Sequence, residues 1–173
     1  MLIQLTGLSG AGKTTISNEV KKNLESKGIV VEILDGEAYR QTINKDLGFS
    51  KEDRFRNIRR LGELGYSIVQ QNKIAIIAAI NPYEEIRKEL AQNYGAKTVW
   101  IYCPIGIIMQ RDTKGLYKRA LLSDDNPDKI FNLTGINDVF EEPENADLII
   151  DTGKNSIHKA SEKLVRFITR SLK

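Results

Sequence analysis

Gly7-Leu8-Ser9-Gly10-Ala11-Gly12-Lys13-Thr14 fits the pattern G-x-x-x-x-G-K-[ST], and the stretches on either side have the context that pattern needs. Before it, Leu2–Thr6 reads as an apolar strand. After it, Lys13–Ser26 reads as a helix that ends ahead of Gly28. Glycines in such a turn allow close approach of the backbone to an anion. Successive N–H groups then point inward, and the helix N-terminus adds partial positive charge. Lys13 is placed to reach outer phosphates and the Thr14 hydroxyl to face Mg²⁺. Gly7, Ser9, Gly10, Ala11, Gly12, Lys13, Thr14 and Thr15 are therefore the candidate residues for a nucleoside triphosphate such as ATP.

Other readings of this stretch fail on particular residues. A dinucleotide fingerprint needs a third glycine, which is missing around Thr15. A nucleophile elbow, G-x-S-x-G, is broken by Ala11, and His158 is the single histidine available as a base. Asn72-Lys73-Ile74-Ala75 lacks the final Asp of the N-K-x-D pattern that reads guanine.

Outward from the loop, short apolar runs alternate with longer amphipathic stretches. Ile29–Leu34 predicts a second strand. Ser50-Lys51-Glu52-Asp53 resembles a capping box and opens a helix to about Gln71. Ile74–Ile80 is apolar throughout, as expected of a strand covered on both faces. Pro82–Tyr94 contains a helix, Thr98–Tyr102 a fourth strand, Ile105–Arg111 a short helix, Leu148–Ile150 a fifth strand and Ser156–Leu172 a closing helix. This alternation predicts an α/β chain of the P-loop NTPase fold: one domain over 1–173, with a five-stranded parallel sheet and helices on both faces. Thr113–Gly135 is polar and irregular, and its length inside a small domain marks it as a mobile lid.

Composition narrows the function. The 173 residues carry 26 Lys and Arg against 23 Asp and Glu, a formal net charge of +3. That balance permits an anionic small molecule and gives no basic tract for nucleic acid. One cysteine, Cys103, and one histidine exclude an internal disulfide and zinc sites built from several Cys or His. No apolar run approaches the roughly 18 residues of a membrane helix, and no leader is expected ahead of the first strand. A cytoplasmic protein without membrane contact is expected.

Further candidates lie at the carboxyl ends of the strands, where the cleft of an open α/β sheet opens. Asp35-Gly36-Glu37 ends the second strand, with Arg40 beyond. A carboxylate here can serve Mg²⁺ or accept a proton from an attacking hydroxyl, and Arg40 can pair with a second anion. Ile80 and Asn81 end the third strand, which carries no terminal Asp. Asp35 or Glu37 therefore has to supply the acidic group. Arg54 and Asn57 share a face of the following helix, in a basic stretch with Lys51, Arg56, Arg59 and Arg60. Arg111 and Lys114 head the irregular segment, where cations can close over transferring phosphoryl charge and exclude water.

Taken together these segments resemble the adenylylsulfate kinase (APS kinase) family. The resemblance rests on the phosphate loop, Asp35-Gly36, Asp46-Leu47-Gly48-Phe49-Ser50, Asp53-Arg54, Asn57-Ile58-Arg59-Arg60, Pro82-Tyr83, Arg111-Asp112, Lys114-Gly115-Leu116-Tyr117-Lys118, Thr134-Gly135-Ile136 and Glu142-Pro143. It implies phosphorylation by MgATP of the ribose 3′-hydroxyl of adenosine 5′-phosphosulfate, in sulfate activation, by a homodimer. It implies that Phe49 stacks on the acceptor adenine and that Arg40, Arg54 and Asn57 hold its phosphosulfate and ribose. Asp35 would serve Mg²⁺ or the hydroxyl proton, and Lys13 and Lys114 would be catalytic. Ile80, Asn81, Leu133 and Thr134 complete the acceptor side with Asp35 and Glu37, and Arg111 joins the ATP side. The chain departs from the family pattern at Glu37 (usually Asp), Asn81 (usually Ser), Leu133 (usually Phe, the second half of the adenine sandwich) and Leu121 (usually Arg). Related kinases of surface-polysaccharide pathways act on cytidine diphosphate-type acceptors such as cytidine diphosphoramidate. They usually lose the Asp46–Ser50 and Asn57–Arg60 segments that this chain keeps.

Overall fold

Five parallel strands form the spine of the molecule, seen in a computed structural model that describes residues 1–172. They are β1 (Leu2–Thr6), β2 (Val31–Asp35), β3 (Ile74–Ala78), β4 (Lys97–Tyr102) and β5 (Leu148–Asp151), in the spatial order β2-β3-β1-β4-β5. The helices are α1 (Lys13–Glu25), α2 (Gly36–Gln41), α3 (Lys51–Val69), α4 (Glu84–Tyr94), α5 (Ile105–Arg111), α6 (Leu116–Ala120) and α7 (Ile157–Ser171). Every strand pair is parallel, so each connection is a crossover.

Strand alternation sorts the core into two layers. Ile3, Leu5, Ile76, Val99 and Ile101 face α1 and α7, meeting Ile16, Val20 and Leu24 of the one and Leu164 and Ile168 of the other. Leu2, Ala75 and Ile77 face α3 and α4, meeting Phe55, Ile58 and Leu61, then Ile86 and Leu90. β1 and β3 are buried along their whole length; β3 is apolar throughout, while β1 carries the buried polar residues Gln4 and Thr6. The chain leaves β1 toward β2 on one side and reaches β4 on the other. The crevice beyond the carboxyl end of β1 is therefore the topological switch point, where ligands bind in open α/β sheets.

Several expected boundaries shift. β2 starts at Val31, because the Ile29 amide donates to the Leu24 carbonyl and completes the end of α1. β3 stops at Ala78, since the chain must bend toward Asn81, whose φ is 48°. The stretch expected to be irregular holds α6, with Tyr117 and Ala120 buried. A five-residue helix is too short to show its period in the sequence.

Gly7 joins the sheet to the loop. Its φ is 147°, and a Cβ there would sit 2.3 Å from the carbonyl oxygen of Ile101 on β4. That atom belongs to the backbone of a paired strand and cannot yield. Gly7→Ala is expected to cost about 2–3 kcal/mol, or roughly 5–10 °C in thermal midpoint for a domain of this size, read by calorimetry.

Candidate active site

One cleft of about 1260 Å³ opens at the carboxyl ends of the strands. It exceeds the roughly 300–1,000 Å³ usual for one small ligand, which leaves room for two. Of the residues assigned above to the two substrates, all but Gly7 line it, while Lys51, Arg56, Arg59 and Arg60 of the basic stretch do not. Gly7 lies behind the loop against β4.

The phosphate-loop half is built on α1. Gly12 precedes the helix with φ 100° and offers no side-chain cap, so the first N–H groups of α1 remain available to a ligand. Gly10, at φ 77°, supplies another turn conformation that glycine alone adopts easily. Lys13 is buried, and its Nζ donates to the carbonyls of Gly7 and Leu8, both at 2.8 Å. Burial, with the Lys114 ammonium adding to it, pulls Lys13 down to about 7 from an ordinary 10.5, against the opposing pull of Asp35 and Glu37. The Thr14 hydroxyl donates to Asp35 Oδ2 at 2.7 Å. The other oxygen of Asp35 caps α2, accepting from the amides of Glu37 and Ala38. Asp35 is thus fixed in direction, with one oxygen committed to the fold and one facing Thr14.

Residues far along the chain complete this half. The Thr152 hydroxyl donates to the Ala11 carbonyl at 2.9 Å, and Asn155, Ser156 and Ile157 continue the wall. Sequence reading did not single these out. Their one signal is position, immediately after the fifth strand. Tyr117 donates its hydroxyl to the Ser9 carbonyl at 2.8 Å, and burial, followed by Asp112 and Cys103, pushes that phenol up to about 12. Arg111 reaches the Thr152 carbonyl and lies 3.9 Å from the sulfur of buried Cys103. Lys114 pairs with Glu37 across the cleft mouth.

The second half centres on Phe49, which is half exposed and has two guanidinium groups near its ring. Arg40 lies 4.8 Å and Arg54 5.5 Å from its ring centroid. Arg40 donates to the Gly48 carbonyl at 2.6 Å, and Arg54 Nε to the Phe49 carbonyl at 3.0 Å. Burial, with the neighbouring Arg54 charge second, lowers the pKa of Arg40 from its ordinary value. Arg54 also reaches the Asn132 carbonyl at 2.9 Å and the Asp138 carboxylate at 2.5 Å. Asp138 was absent from the sequence reading.

Asn81 lines the cleft as expected, but it is almost fully buried and belongs to a polar framework behind it. Its amide donates to Gln4 at 3.0 Å, and its carbonyl accepts from Thr6 and Arg87. Gln4 donates to the Arg87 carbonyl and the Thr98 hydroxyl, and Arg87 is held by Glu84 and the Glu141 carbonyl. Ile80 lines the cleft and accepts the Gly7 amide. Leu133 and Thr134 close the far wall, both buried, while Phe131 points outward with its ring beside Lys129. Asn81 Oδ1 and Thr134 Oγ1 are buried without a protein partner.

The sequence profile described as adenylylsulphate kinase matches residues 1–151. A probable adenylyl-sulfate kinase of Bacillus subtilis is 41% identical over 174 residues, covering 99% of this chain and 86% of that protein. An adenylyl-sulfate kinase of Picosynechococcus is 39% identical over 96% of this chain and 92% of its own. Among solved structures, the APS kinase of Mycobacterium tuberculosis in complex with AMPPNP and APS superposes with a TM-score of 0.88 at 30% identity, covering 97% of this chain and 98% of that one. Its match runs through both halves of the cleft, and the profile spans the loop, the Phe49 segment and Thr134. The chain belongs to the adenylylsulphate kinase family.

Proposed function

We propose that this chain transfers the γ-phosphoryl group of ATP to the ribose 3′-hydroxyl of adenosine 5′-phosphosulfate, giving 3′-phosphoadenosine 5′-phosphosulfate and ADP. The observation that carries the reading is that one cleft joins the phosphate loop to a wall made of Phe49, Arg40, Arg54 and Asn57. ATP fits the loop, where free helix amides and Lys13 meet its phosphates. The acceptor fits the other wall, with its base on Phe49 and its phosphosulfate toward the arginines.

Positioning and charge neutralisation supply most of the rate in phosphoryl transfer. Lys13 would exchange two loop carbonyls for phosphate oxygens. Asp35, oriented by its own cap, stands beside Thr14, where donor and acceptor meet. The Thr14 hydroxyl and the Asp35 carboxylate are hard oxygen donors 2.7 Å apart, a set that suits Mg²⁺ shared with substrate phosphates. Mg²⁺ would neutralise charge on those phosphates. Lys114 stands at the head of the 113–135 segment, which we read as the lid that excludes water, and Arg111 lines the cleft just before it, at the end of α5. Half-buried Trp100 and Tyr102 with exposed Ile149 share a face of β4 and β5 and offer an apolar surface for a homodimer. No described helix is long and apolar enough to cross a membrane, and use of ATP fits a cytoplasmic location.

With MgATP and APS, mass spectrometry should detect the 3′-phosphorylated product, and cytidine diphosphate-type acceptors should yield none. The reverse pattern would move the protein to another acceptor. Lys13→Ala should lower turnover by about 10²-fold or more with an unchanged circular dichroism spectrum.

Lys13 also gives a pH signature. Its folded pKa of about 7 lies below the ordinary 10.5, so between these values the unfolded chain binds about one proton more than the folded one. This contribution to stability is full above 10.5 and is lost as pH falls toward 7. Denaturant melts of the ligand-free protein should show it as a slope of up to about 1.4 kcal/mol per pH unit that Lys13→Met removes. Nucleotide binding near pH 8 should take up a proton in wild type and none in Lys13→Met, measured by titration calorimetry in two buffers.

A further inference from the structure

Asn57 lines the acceptor half of the cleft, and its orientation is set from outside the cleft. Its Oδ1 accepts from Asn44 Nδ2 at 2.9 Å, while its own Nδ2 has no partner among the described residues. Asn44 is 1% exposed, does not line the cleft, and belongs to the connection between α2 and α3. Its backbone is tied at both ends. Its amide donates to the Tyr39 carbonyl at 2.8 Å, and its carbonyl accepts the Leu47 amide at 3.1 Å. Its Oδ1 accepts from Arg60 Nη1 at 3.2 Å, and Arg60 is gripped by both oxygens of Asp46, at 2.7 and 2.8 Å.

This chain of contacts has only one consistent polarity. A guanidinium donates and never accepts, so the Asn44 atom facing Arg60 must be the oxygen. The Asn44 atom facing Asn57 is then the NH₂ group. Asn57 must meet it with oxygen, and its own NH₂ is left for the cleft. Either amide alone could be turned over. The charge of Arg60, held by Asp46, removes that freedom two residues away.

We propose that Asn44 is a positioning residue that fixes Asn57 as a hydrogen-bond donor toward the anionic acceptor nucleotide. The inference rests on the acceptor assignment made above and adds a residue to it. Were Asn57 turned over, its carbonyl oxygen would face phosphosulfate or ribose oxygens, and a favourable contact would become a repulsive one.

Two substitutions separate this role from ordinary packing. Asn44→Asp keeps the shape and strengthens the contact with Arg60. A carboxylate accepts only, so it forces Asn57 to turn its NH₂ inward and present oxygen to the cleft. Asn44→Ala removes the anchor and leaves Asn57 free to adopt either orientation. In the full chain, Asn44→Asp should raise KM for APS by about ten- to hundred-fold, with KM for ATP within about twofold of wild type and a melting temperature above that of Asn44→Ala. Asn44→Ala should melt lower than Asn44→Asp, yet raise KM for APS less. A residue that merely packs would give one order for both properties. An Asn44→Asp enzyme with unchanged KM for APS, an equal rise for ATP, or an Asn44→Ala enzyme with the larger rise would overturn the role of Asn44. If wild type does not phosphorylate APS, the proposed function fails first, and the acceptor named here fails with it.

Discussion

Thr6, Gly7 and Ala11 are tied from behind to the ends of neighbouring strands. The Gly7 amide and the Thr6 hydroxyl both donate to the Ile80 carbonyl just past β3, at 3.1 Å each, and the Thr152 hydroxyl past β5 donates to Ala11. These bonds hold the loop backbone without using the amides at the mouth of α1. A loop free to relax would turn those amides toward its own carbonyls and lose its affinity for anions. Fixed by flanking strands, it meets a phosphate with its dipoles already aligned, which is where most of the electrostatic advantage of such a site lies.

The cations around the cleft are already occupied. Lys13 has two loop carbonyls, Lys114 has Glu37, Arg40 has the Gly48 carbonyl, and Arg54 has Asp138 and the carbonyls of Phe49 and Asn132. Binding is therefore an exchange of partners. Displacing a neutral carbonyl is easier than displacing a carboxylate, so the loop lysine and Arg40 can switch at less cost than Arg54 and Lys114. Under the proposed function this difference would favour strongly charged ligands, because a weakly charged one competes poorly for the two cations that are paired with acids.

How much of this was legible in the sequence depended on chain separation. The glycines and Lys13 of the phosphate-loop pattern fall within eight consecutive positions, so the loop could be read directly. Asp35, Arg40 and Phe49 were placed by the strand-end rule and by the family pattern. Gln4, Arg87, Thr152 and Asp138 were either missed or left without a role, since their partners lie far away: Gln4 meets Asn81 77 positions on, and Arg54 meets Asp138 84 positions on. Nothing local distinguishes such an Asp or Gln from a surface residue. Asn44 went unread for a related reason: its effect passes through the hydrogen-bond polarity of Asn57, which a residue type does not announce. Boundaries moved where a backbone bond outcompeted propensity, as at Ile29.

The contact between Tyr117 and Ser9 sets a mechanical limit. It fastens the base of α6 to the phosphate loop, and the Ile130 amide on the Arg119 carbonyl, with Arg119 Nε on the Asp128 carbonyl, pinches the chain shut just beyond. If the 113–135 segment moves as a lid, its fulcrum would be that pinched neck and its freest span about 121–129. Glycine at 115 lies on the anchored side of the fulcrum. It would therefore shape the pedestal on which such an arm is mounted and leave the arc of the swing to the polar tip.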